Sequence, residues 1–483
     1  MADTTQPMSP EWWIRRLYTE LRRRDQAVEK AREYYDGVHN LAFSSQKFRE
    51  TFGGLFNAFA DNWCEVVVDA AEERLNVLGF RVSPTEPNDD TTARDIWQRN
   101  EMDAQSQMAH QEALITGRAF GVVWVDRDGN AEITMEPSSR AIVDCHPKLT
   151  KQRRAGLRVW CDDDGYEHAE LFLPKDVHLY RSVSKLGSSG MVDFGRTKWT
   201  VDEEPAKIGT TDGNGRMVNP FGVVPVIEFQ NRPRSQSSRK AGPGVHSEIR
   251  SIMPLQDAVN KLIADMLTAS ESAAFPQRYA TGWEFDTDPE TGAALPPSFK
   301  QGAGTIWATE SATAQLGQFM VADLGNFVKA IELVINHIAA ISRTPPHYLS
   351  SSADRLSGES IKAAETGLVA KVKRKQVHFG EAWEELIRTA GIVEQNASLA
   401  GAFACETIWA DPESRTEAEH IDAVSKKSAL GVPQEQLWED AGYSPSQIER
   451  MKAMAAAQAL MAPPVIQQAP VGMGMARGGS VGA

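Results

Sequence analysis

The chain has 483 residues, which is enough for two to four domains that each bury a core. It carries 51 basic and 65 acidic residues, and the formal net charge of −14 argues against a tight nucleic-acid binder, whose affinity grows with the phosphates neutralised by Lys and Arg. No apolar run reaches about 18 residues and the N-terminus shows no signal pattern, so we expect no membrane span and synthesis in the cytoplasm.

The N-terminal half predicts helices followed by strands. Apolar periodicity predicts helices over three segments, 11–36, 57–75 and 95–116, and Gly117 ends the third. Asp128-Gly129 and Asp164-Gly165 each separate two strand-like segments, which is typical of β-hairpin turns. Strand signals continue to about residue 230, and we expect a mobile loop within 187–215.

A strongly amphipathic helix is predicted after Gly244. Its apolar residues recur at steps of three and four: Ile252, Leu255, Val259, Leu262, Ile263, Met266 and Leu267. Pro254 lies near its start, where a missing N–H is tolerated. Asp257, Asn260, Lys261 and Asp265 occupy the other side.

A second amphipathic helix follows an insertion of about fifty residues. Asp323 is its predicted N-cap, Pro345 and Pro346 end it, and its stripe comprises Leu324, Phe327, Val328, Ile331, Val334, Ile335 and Ile338. At 1.5 Å per residue each helix spans about 30 Å. The pair predicts either a rod with the insertion at its far end or an ordinary core hairpin, and periodicity alone leaves both open.

A polar loop leads from this pair into a third long helix. Within that helix a basic cluster comprises Lys371, Lys373, Arg374 and Lys375. The cluster predicts either phosphate contacts or a solvated or intersubunit ion-pair surface. Three shorter helices are predicted in 411–461, and the low-complexity segment 462–483 is expected to be disordered.

The sequence contains few signs of catalysis. It has no phosphate-loop, H-E-x-x-H or G-x-S-x-G motif, so we predict that the chain is not an enzyme and has no cofactor. The four cysteines include no C-x-x-C pair, and the acidic run 162–164 is more simply a solvated turn than a cation site. We therefore predict no metal site.

Five segments, in their order along the chain, carry a resemblance to a known family. They are NAFADNWCEVVVDAAEERLNVLGF (57–80), IWQRNEMDAQSQMAHQEALITGRAFGVVWV (96–125), NPFGVVPVIEFQNRP (219–233), GVHSEIRSIMPLQDAVNKLIADMLTASESAAFPQRYATG (244–282) and INHIAAISRTPPHYLSSSADRLSGESIKAAE (335–365). Together these segments resemble the portal proteins of long-tailed bacteriophages that infect Gram-positive hosts. The resemblance covers about residues 11 to 461, and its specificity comes from the order and completeness of the segments.

The resemblance implies an α+β, predominantly helical portal fold. Its regions would be a wing at 1–245, a first stem helix at 246–272, a clip at 273–318, a second stem helix at 319–343, a tunnel loop at 344–358, a long kinked helix and wing return at 359–411, and a crown at 412–461. We expect the loop residues to face the channel and touch passing DNA, with Arg355 as the transient phosphate contact; they are Ser350, Ser351, Ser352, Asp354, Arg355 and Leu356. Clip docking would use Trp283, Phe285, Ile306 and Trp307.

The function implied by the resemblance is a ring, usually of twelve subunits, at one capsid vertex of the virion. Double-stranded DNA would be packaged and ejected through it, and an acidic wall would keep phosphate from sticking. The expected partners are other copies of the chain, the terminase large subunit, a head–tail adaptor, and the major capsid protein and scaffold, without a membrane. A smaller head-completion adaptor and a non-viral helical scaffold are the alternatives.

Overall fold

The described residues form α-helices and antiparallel β-sheets, with more residues in helices than in strands. The fold is therefore α+β and predominantly helical, as predicted. The computed structural model describes residues 6–38, 61–83, 90–149, 151–185, 198–202, 212, 215–234, 245–274, 278–282, 288–293, 313–320, 322–349, 358–413, 417–443 and 445–461. Contacts divide the chain into two compact units, one ending at Ser414 and the other beginning at Arg415.

The first helix confirms its prediction closely. Helix α1 (Pro10–Tyr35) is capped by the Ser9 side chain, which accepts a hydrogen bond from Trp12 N, and Pro10 stands at a first-turn position. Helix α2 (Trp63–Glu72) falls within the predicted segment 57–75, whose first four residues lie outside the described residues.

The single helix predicted over 95–116 is wrong, because two helices occupy this region. They are α3 (Thr91–Arg99) and α4 (Met102–Thr116). Glu101 between them adopts a left-handed backbone with φ of 54°, and Asn100 uses its side chain to bond Ile133 N and Ala131 O at 2.8 and 3.0 Å. The apolar pattern continues across this break, so periodicity does not reveal it.

A three-stranded antiparallel sheet follows α4. Its strand order is β10-β2-β3, with β2 at Arg118–Val125, β3 at Ala131–Pro137 and β10 at Val226–Gln230. Strands β2 and β3 form the predicted hairpin, and Gly129 in its turn has a φ of 88° that favours glycine.

A larger antiparallel sheet has the order β4-β5-β6-β7-β8, and β9 also pairs with β7. The strands are β4 (Ala141–Cys145), β5 (Arg153–Cys161), β6 (Glu167–Phe172), β7 (Asp176–Ser182), β8 (Trp199–Val201) and β9 (Arg216–Val218). Gly165, with φ of 86°, makes the predicted turn between β5 and β6. Most of the predicted mobile loop at 187–215 lies outside the described residues.

Helix α1 covers one face of the larger sheet. Trp13, Leu17 and Leu21 are buried in one cluster with Leu157 and Leu171 of the strands. A buried hydrogen bond of 2.5 Å from Tyr18 Oη to Glu167 Oε2 adds a polar contact to this apolar layer.

The main core forms around α8 (Gly358–Val393), the longest of the described helices. Trp383 of this helix is fully buried, and its Nε1 donates to His110 Nε2 of α4 at 2.9 Å. Burial lowers the pKa of His110 to about 3, so the imidazole is neutral and can accept this bond.

After α8 and the short helix α9 (Ala397–Ala400), the chain returns to the N-terminal region. Strand β13 (Glu406–Trp409) pairs antiparallel with β1 (Val77–Arg81). This pairing joins residues more than 300 positions apart and closes the first unit.

The helical hairpin lies between β10 and α8. It consists of α5 (Met253–Ala274), strands β11 (Arg278–Thr281) and β12 (Gln315–Gln318), α6 (Leu324–Ser342) and the short α7 (Pro346–Leu349). Strands β11 and β12 pair antiparallel and join the end of α5 to the start of α6.

The second unit contains the three helices predicted for 411–461. They are α10 (Glu417–Ala429), α11 (Gln434–Asp440) and α12 (Pro445–Met461). Lys427 pairs with Asp440 at 2.7 Å and Lys452 with Glu435 at 3.0 Å, which ties the three helices together. The segment 462–483 lies outside the described residues.

Candidate functional site at the base of the helical hairpin

The packed side of the hairpin follows the predicted apolar stripes. Val259 and Ile263 of α5 are buried in the main cluster with Ile338 of α6, and Ile331 and Ile335 pack against it in part. The Asp323 side chain caps α6 by accepting from Gly325 N at 2.9 Å, as predicted. The helix ends at Ser342 because Arg343 takes a left-handed backbone, so the prolines follow its end and Pro346 begins α7.

The side of α5 that we predicted to be polar is partly packed at its base. Asp257 Oδ1 accepts a bond of 2.6 Å from Tyr34 Oη of α1, and Asn260 is only 8% exposed. Gln256 accepts from Trp63 N of α2 at 2.9 Å. These polar contacts fasten the start of α5 to the first two helices.

The other surface of the hairpin exposes apolar side chains. Leu267 and Val328, which we predicted to lie on the packed stripes, are 40% and 46% exposed. Leu333 and Ile341 are 56% and 52% exposed. Helix α6 is therefore apolar on more than one side, and the described residues of one chain leave part of this apolar surface exposed.

Helix α6 is also, by length and composition alone, apolar enough to cross a membrane, and it is the one such helix among the described residues. Lys329 and Glu332 lie within it. Its contacts with α5 and the main core show part of its surface packed inside this protein.

A buried ion-pair cluster lies where the hairpin meets α8. Glu248, just before α5, accepts from Lys375 Nζ at 2.6 Å and lies 3.5 Å from Lys371 Nζ. Lys375 also donates to Asn231 Oδ1 at 2.6 Å, and Lys371 donates to the carbonyl oxygen of Ser342 at 2.9 Å. We call Glu248, Lys371 and Lys375 the lysine–glutamate cluster.

The protonation of this cluster follows from burial and mutual charge. Burial by itself would raise the pKa of Glu248, but Lys375 and Lys371 outweigh it and lower that pKa to about 2. Burial lowers the pKa of Lys371 to about 8, against the attraction of Glu248, and it lowers the pKa of Lys375 as well. At neutral pH the carboxylate is therefore ionised and holds the lysines.

A second polar cluster involves Tyr348, within the predicted tunnel loop of 344–358, and lies at the two ends of segment 350–357. Tyr348 Oη of α7 donates to Glu365 Oε1 of α8 at 3.1 Å, and Arg74 Nη2 donates to Tyr348 Oη at 2.5 Å. Glu365 is only 6% exposed, and burial raises the pKa of Tyr348. Arg74 follows α2, so this cluster joins both flanks of segment 350–357 to the N-terminal helices.

The structure corrects the role predicted for part of the basic cluster. Lys371 and Lys375 are 11% and 4% exposed, and both are occupied inside the chain. They are therefore structural residues and not contacts for phosphate or for a neighbouring subunit. Lys373 pairs with Glu413 at 2.8 Å on the surface, and Arg374 is exposed.

The remaining predicted site residues lie outside the described residues. These are the tunnel-loop residues Ser350, Ser351, Ser352, Asp354, Arg355 and Leu356, and the clip residues Trp283, Phe285, Ile306 and Trp307. Among the residues that are described, no group of three or more His, Cys, Asp or Glu side chains is arranged to hold a metal ion.

The key residues missed by sequence reasoning are Glu248, Tyr348 and Glu365. Glu365 interrupts the apolar face of its helix. A carboxylate in such a position indicates a buried ion pair. Glu248 precedes its helix and carries no such signal.

Comparison with known proteins identifies the family of this chain. Residues 15–459 match the family described as "Phage portal protein, SPP1 Gp6-like". The portal protein of Mycobacterium phage D29 is 31% identical over 405 residues, and that of Mycobacterium phage L5 is 30% identical over 407 residues. Each alignment covers 80% of this chain and 76% of the relative.

Among solved structures, a chain from the neck of a native GTA particle computed with C12 symmetry has a TM-score of 0.42 and 12% identity, over 82% of this chain and 92% of that chain.

The family match spans nearly the whole chain, and two portal proteins share about 30% of its residues over four-fifths of it. The chain belongs to the SPP1 Gp6-like family of phage portal proteins.

Proposed function

We propose that copies of this chain form a ring at one vertex of the capsid, and that double-stranded DNA enters and leaves through the central channel. Membership of the portal family makes the chain a structural protein of the phage particle and not an enzyme. It also decides against the non-viral scaffold and the smaller head-completion adaptor.

The observation that carries the ring is the uncovered apolar surface of the hairpin. Leu333 and Ile341 of α6 are more than half exposed in a single chain. Full burial of such a side chain contributes about 1.5–3 kcal/mol, so covering its exposed half contributes about half of that, and neighbouring hairpins gain by packing together. We propose twelve subunits, as the family resemblance implies.

Negative-stain electron microscopy of the purified protein tests this proposal. We expect rings with a central hole of DNA width, and mass photometry should give about twelve chain masses. Particles that remain single chains across the concentrations at which the phage assembles would contradict it.

We propose that the channel passes DNA without holding it. The chain has a formal net charge of −14, and a ring multiplies this charge. An acidic assembly releases few counterions on meeting DNA, so it binds DNA weakly. Lys371 and Lys375 do not strengthen DNA binding, because both are buried and paired with Glu248.

We further propose that residues 350–356 contact the DNA, with Arg355 as the transient phosphate contact. Support comes from the Tyr348–Glu365 contact, which joins the two flanks of this segment. Replacing Arg355 and Ser350 to Ser352 by Ala should lower the amount of DNA packaged per particle. Unchanged packaging in assembled rings would contradict the contact.

For the clip, we propose docking of the terminase large subunit during packaging and of the head–tail adaptor afterwards, through Trp283, Phe285, Ile306 and Trp307. We also propose contacts with the major capsid protein and scaffold, and synthesis in the host cytoplasm. Deleting about 285–300 should leave rings but abolish docking of both partners. Normal docking would refute this assignment.

A further inference from the structure

Three exposed arginines lie around the base of the helical hairpin. They are Arg232, Arg234 and Arg343, and within the part of the chain that the structure describes their side chains form no ion pair or hydrogen bond. We call these residues the arginine group. A chain with a formal net charge of −14 has more carboxylates than cations, so the missing partners of these arginines need an explanation.

Arg343 stands where α6 ends. It takes the left-handed backbone, with φ of 58°, that ends the helix, and the carbonyl of Ser342 before it accepts from Lys371 Nζ at 2.9 Å. Two residues earlier, the side chain of Ile341 is 52% exposed and belongs to the apolar surface that neighbouring copies are proposed to cover. Arg343 therefore lies beside that proposed contact.

Arg232 and Arg234 contribute positive charge at the start of the hairpin. Burial lowers the pKa of His246, which precedes α5, and four positive charges lower it further, those of Arg250, Arg234, Arg232 and Arg118. Charges have this effect only from nearby positions. The His246 side chain itself is only a weak acceptor for this charge, through its contact of 2.7 Å with Arg250.

The carboxylates at this corner are already engaged by other cations. In the lysine–glutamate cluster two lysines share the single carboxylate of Glu248, which leaves a surplus of positive charge. Glu228 is paired with Arg118 at 2.6 Å. The arginine group therefore adds to a surplus and is not neutralised by these two carboxylates.

Unpaired carboxylates lie on helices α6 and α8. Glu332 of α6 and Glu359 and Glu381 of α8 are exposed, and they form no ion pair with any described residue. In a ring, the exposed side of one hairpin faces the next copy, and copies that each carry a charge of −14 repel one another. Arginines placed opposite carboxylates would reduce this repulsion.

We propose that, in the assembled ring, the arginine group of one copy pairs with at least one of these three carboxylates of the next copy. The inference rests on the ring proposed above and adds a polar rim to its apolar contact. Arginine is enriched in protein–protein interfaces and forms charge-assisted hydrogen bonds with carboxylates. The excess of carboxylates in the chain and the position of Arg343 beside Ile341 both favour a neighbouring copy as the partner.

Mass photometry over a dilution series measures the protein concentration at which half of the chains are in rings. Arg343→Glu should raise this concentration about fivefold, because a repulsive contact replaces an attractive one. Arg127→Glu is the matched control, since Arg127 is an exposed arginine of the β2–β3 turn without an ion pair among the described residues. The control should raise the concentration less than about twofold. Arg343→Gln keeps the result decisive if the charge reversal disturbs the end of α6.

Salt separates these ion pairs from the apolar contact. Raising the ionic strength from about 0.1 M to about 1 M shortens the Debye length from about 10 Å to about 3 Å. Salt also screens the general repulsion between copies, but it does so in every variant. The gap in assembly between the wild type and the triple variant Arg232→Gln, Arg234→Gln, Arg343→Gln should therefore narrow at high salt. A gap of equal size at both salt concentrations would overturn the proposal.

A charge swap identifies the carboxylate. Glu332→Lys, Glu359→Lys and Glu381→Lys are each combined with Arg343→Glu, and at least one combination should assemble within about twofold of the wild-type concentration. Recovery in none of the combinations, or equal losses in Arg343→Glu and Arg127→Glu, would overturn the proposal.

The same measurements separate this inference from the ring itself. Wild-type chains that never form rings would contradict both, whereas rings that form equally well from all arginine variants would contradict only the arginine pairs. If DNA meets the arginine group instead, the variants assemble like the wild type but bind a short duplex more weakly at low salt. That result would also overturn the proposal.

Discussion

Lys375 and Glu248 are 127 positions apart in the chain, yet Lys375 Nζ lies 2.6 Å from Glu248 Oε2 and both side chains are at most 4% exposed. Lys371, one turn earlier on α8, extends the contact to the last carbonyl of α6 at Ser342. One charged cluster thus joins the start of α5, the end of α6 and the long helix.

Removing the carboxylate of this cluster should destabilise the protein strongly. Glu248→Gln leaves two buried lysines without their counter-charge, and we expect a loss of about 3–5 kcal/mol in the free energy of unfolding. Urea unfolding followed by tryptophan fluorescence measures this. Glu413→Gln is the matched control, because Glu413 pairs with Lys373 at the surface and should cost at most about 1 kcal/mol. Similar losses in both variants would contradict the assigned role of Glu248.

Lowering the pH should reduce the free energy of unfolding through the same cluster. The pKa of Glu248 is lowered from its usual 4.5 to about 2, so its stabilisation is present above pH 4.5 and lost as the pH falls towards 2. Between pH 5 and pH 3 the wild type should lose about 2 kcal/mol more stability than Glu248→Gln. The difference between the two unfolding free energies at each pH isolates Glu248 from other titrating groups. Parallel curves would show that Glu248 keeps an ordinary pKa.

The Tyr348 hydroxyl should stabilise the two helices, α7 and α8, on either side of segment 350–357. Tyr348→Phe removes the bonds to Glu365 and Arg74 and leaves a buried carboxylate with fewer donors, which should cost about 1–3 kcal/mol. Hydrogen exchange should increase in α7 and the first turns of α8. Tyr443→Phe, at a 43% exposed tyrosine, should change neither stability nor exchange there. Unchanged exchange around Tyr348 would contradict the role of this hydroxyl.

The exposed apolar surface of α6 should be needed for ring assembly. Leu333→Glu and Ile341→Glu place charges where we expect neighbouring hairpins to pack, and burying an unpaired charge is costly. Size-exclusion chromatography with light scattering should show single folded chains in place of rings. Leu149→Glu replaces another residue of similar exposure, 59%, outside the hairpin, and should still form rings. Rings formed by both α6 variants would exclude this surface from the interface.

Local elements could be predicted from the sequence where the interactions that form them join residues close together in the chain. The Asp323 cap, the Gly129 and Gly165 turns and the periodicity of α1 and α5 each depend on residues within a few positions of one another. The family resemblance likewise rests on the order of segments along the chain. These features need no knowledge of what packs against what.

The tertiary structure decided which polar residues became internal. Lys371 and Lys375 look like a solvated basic surface in sequence, because nothing nearby shows that Glu248 and Asn231 lie opposite them. The break at Glu101 also depends on a distant partner, since Asn100 leaves the helix pattern to bond strand β3. The sequence by itself determined the family and most of the local elements. Only the tertiary structure decided where the charges lie, because desolvation and pairing depend on contacts between residues far apart in the chain.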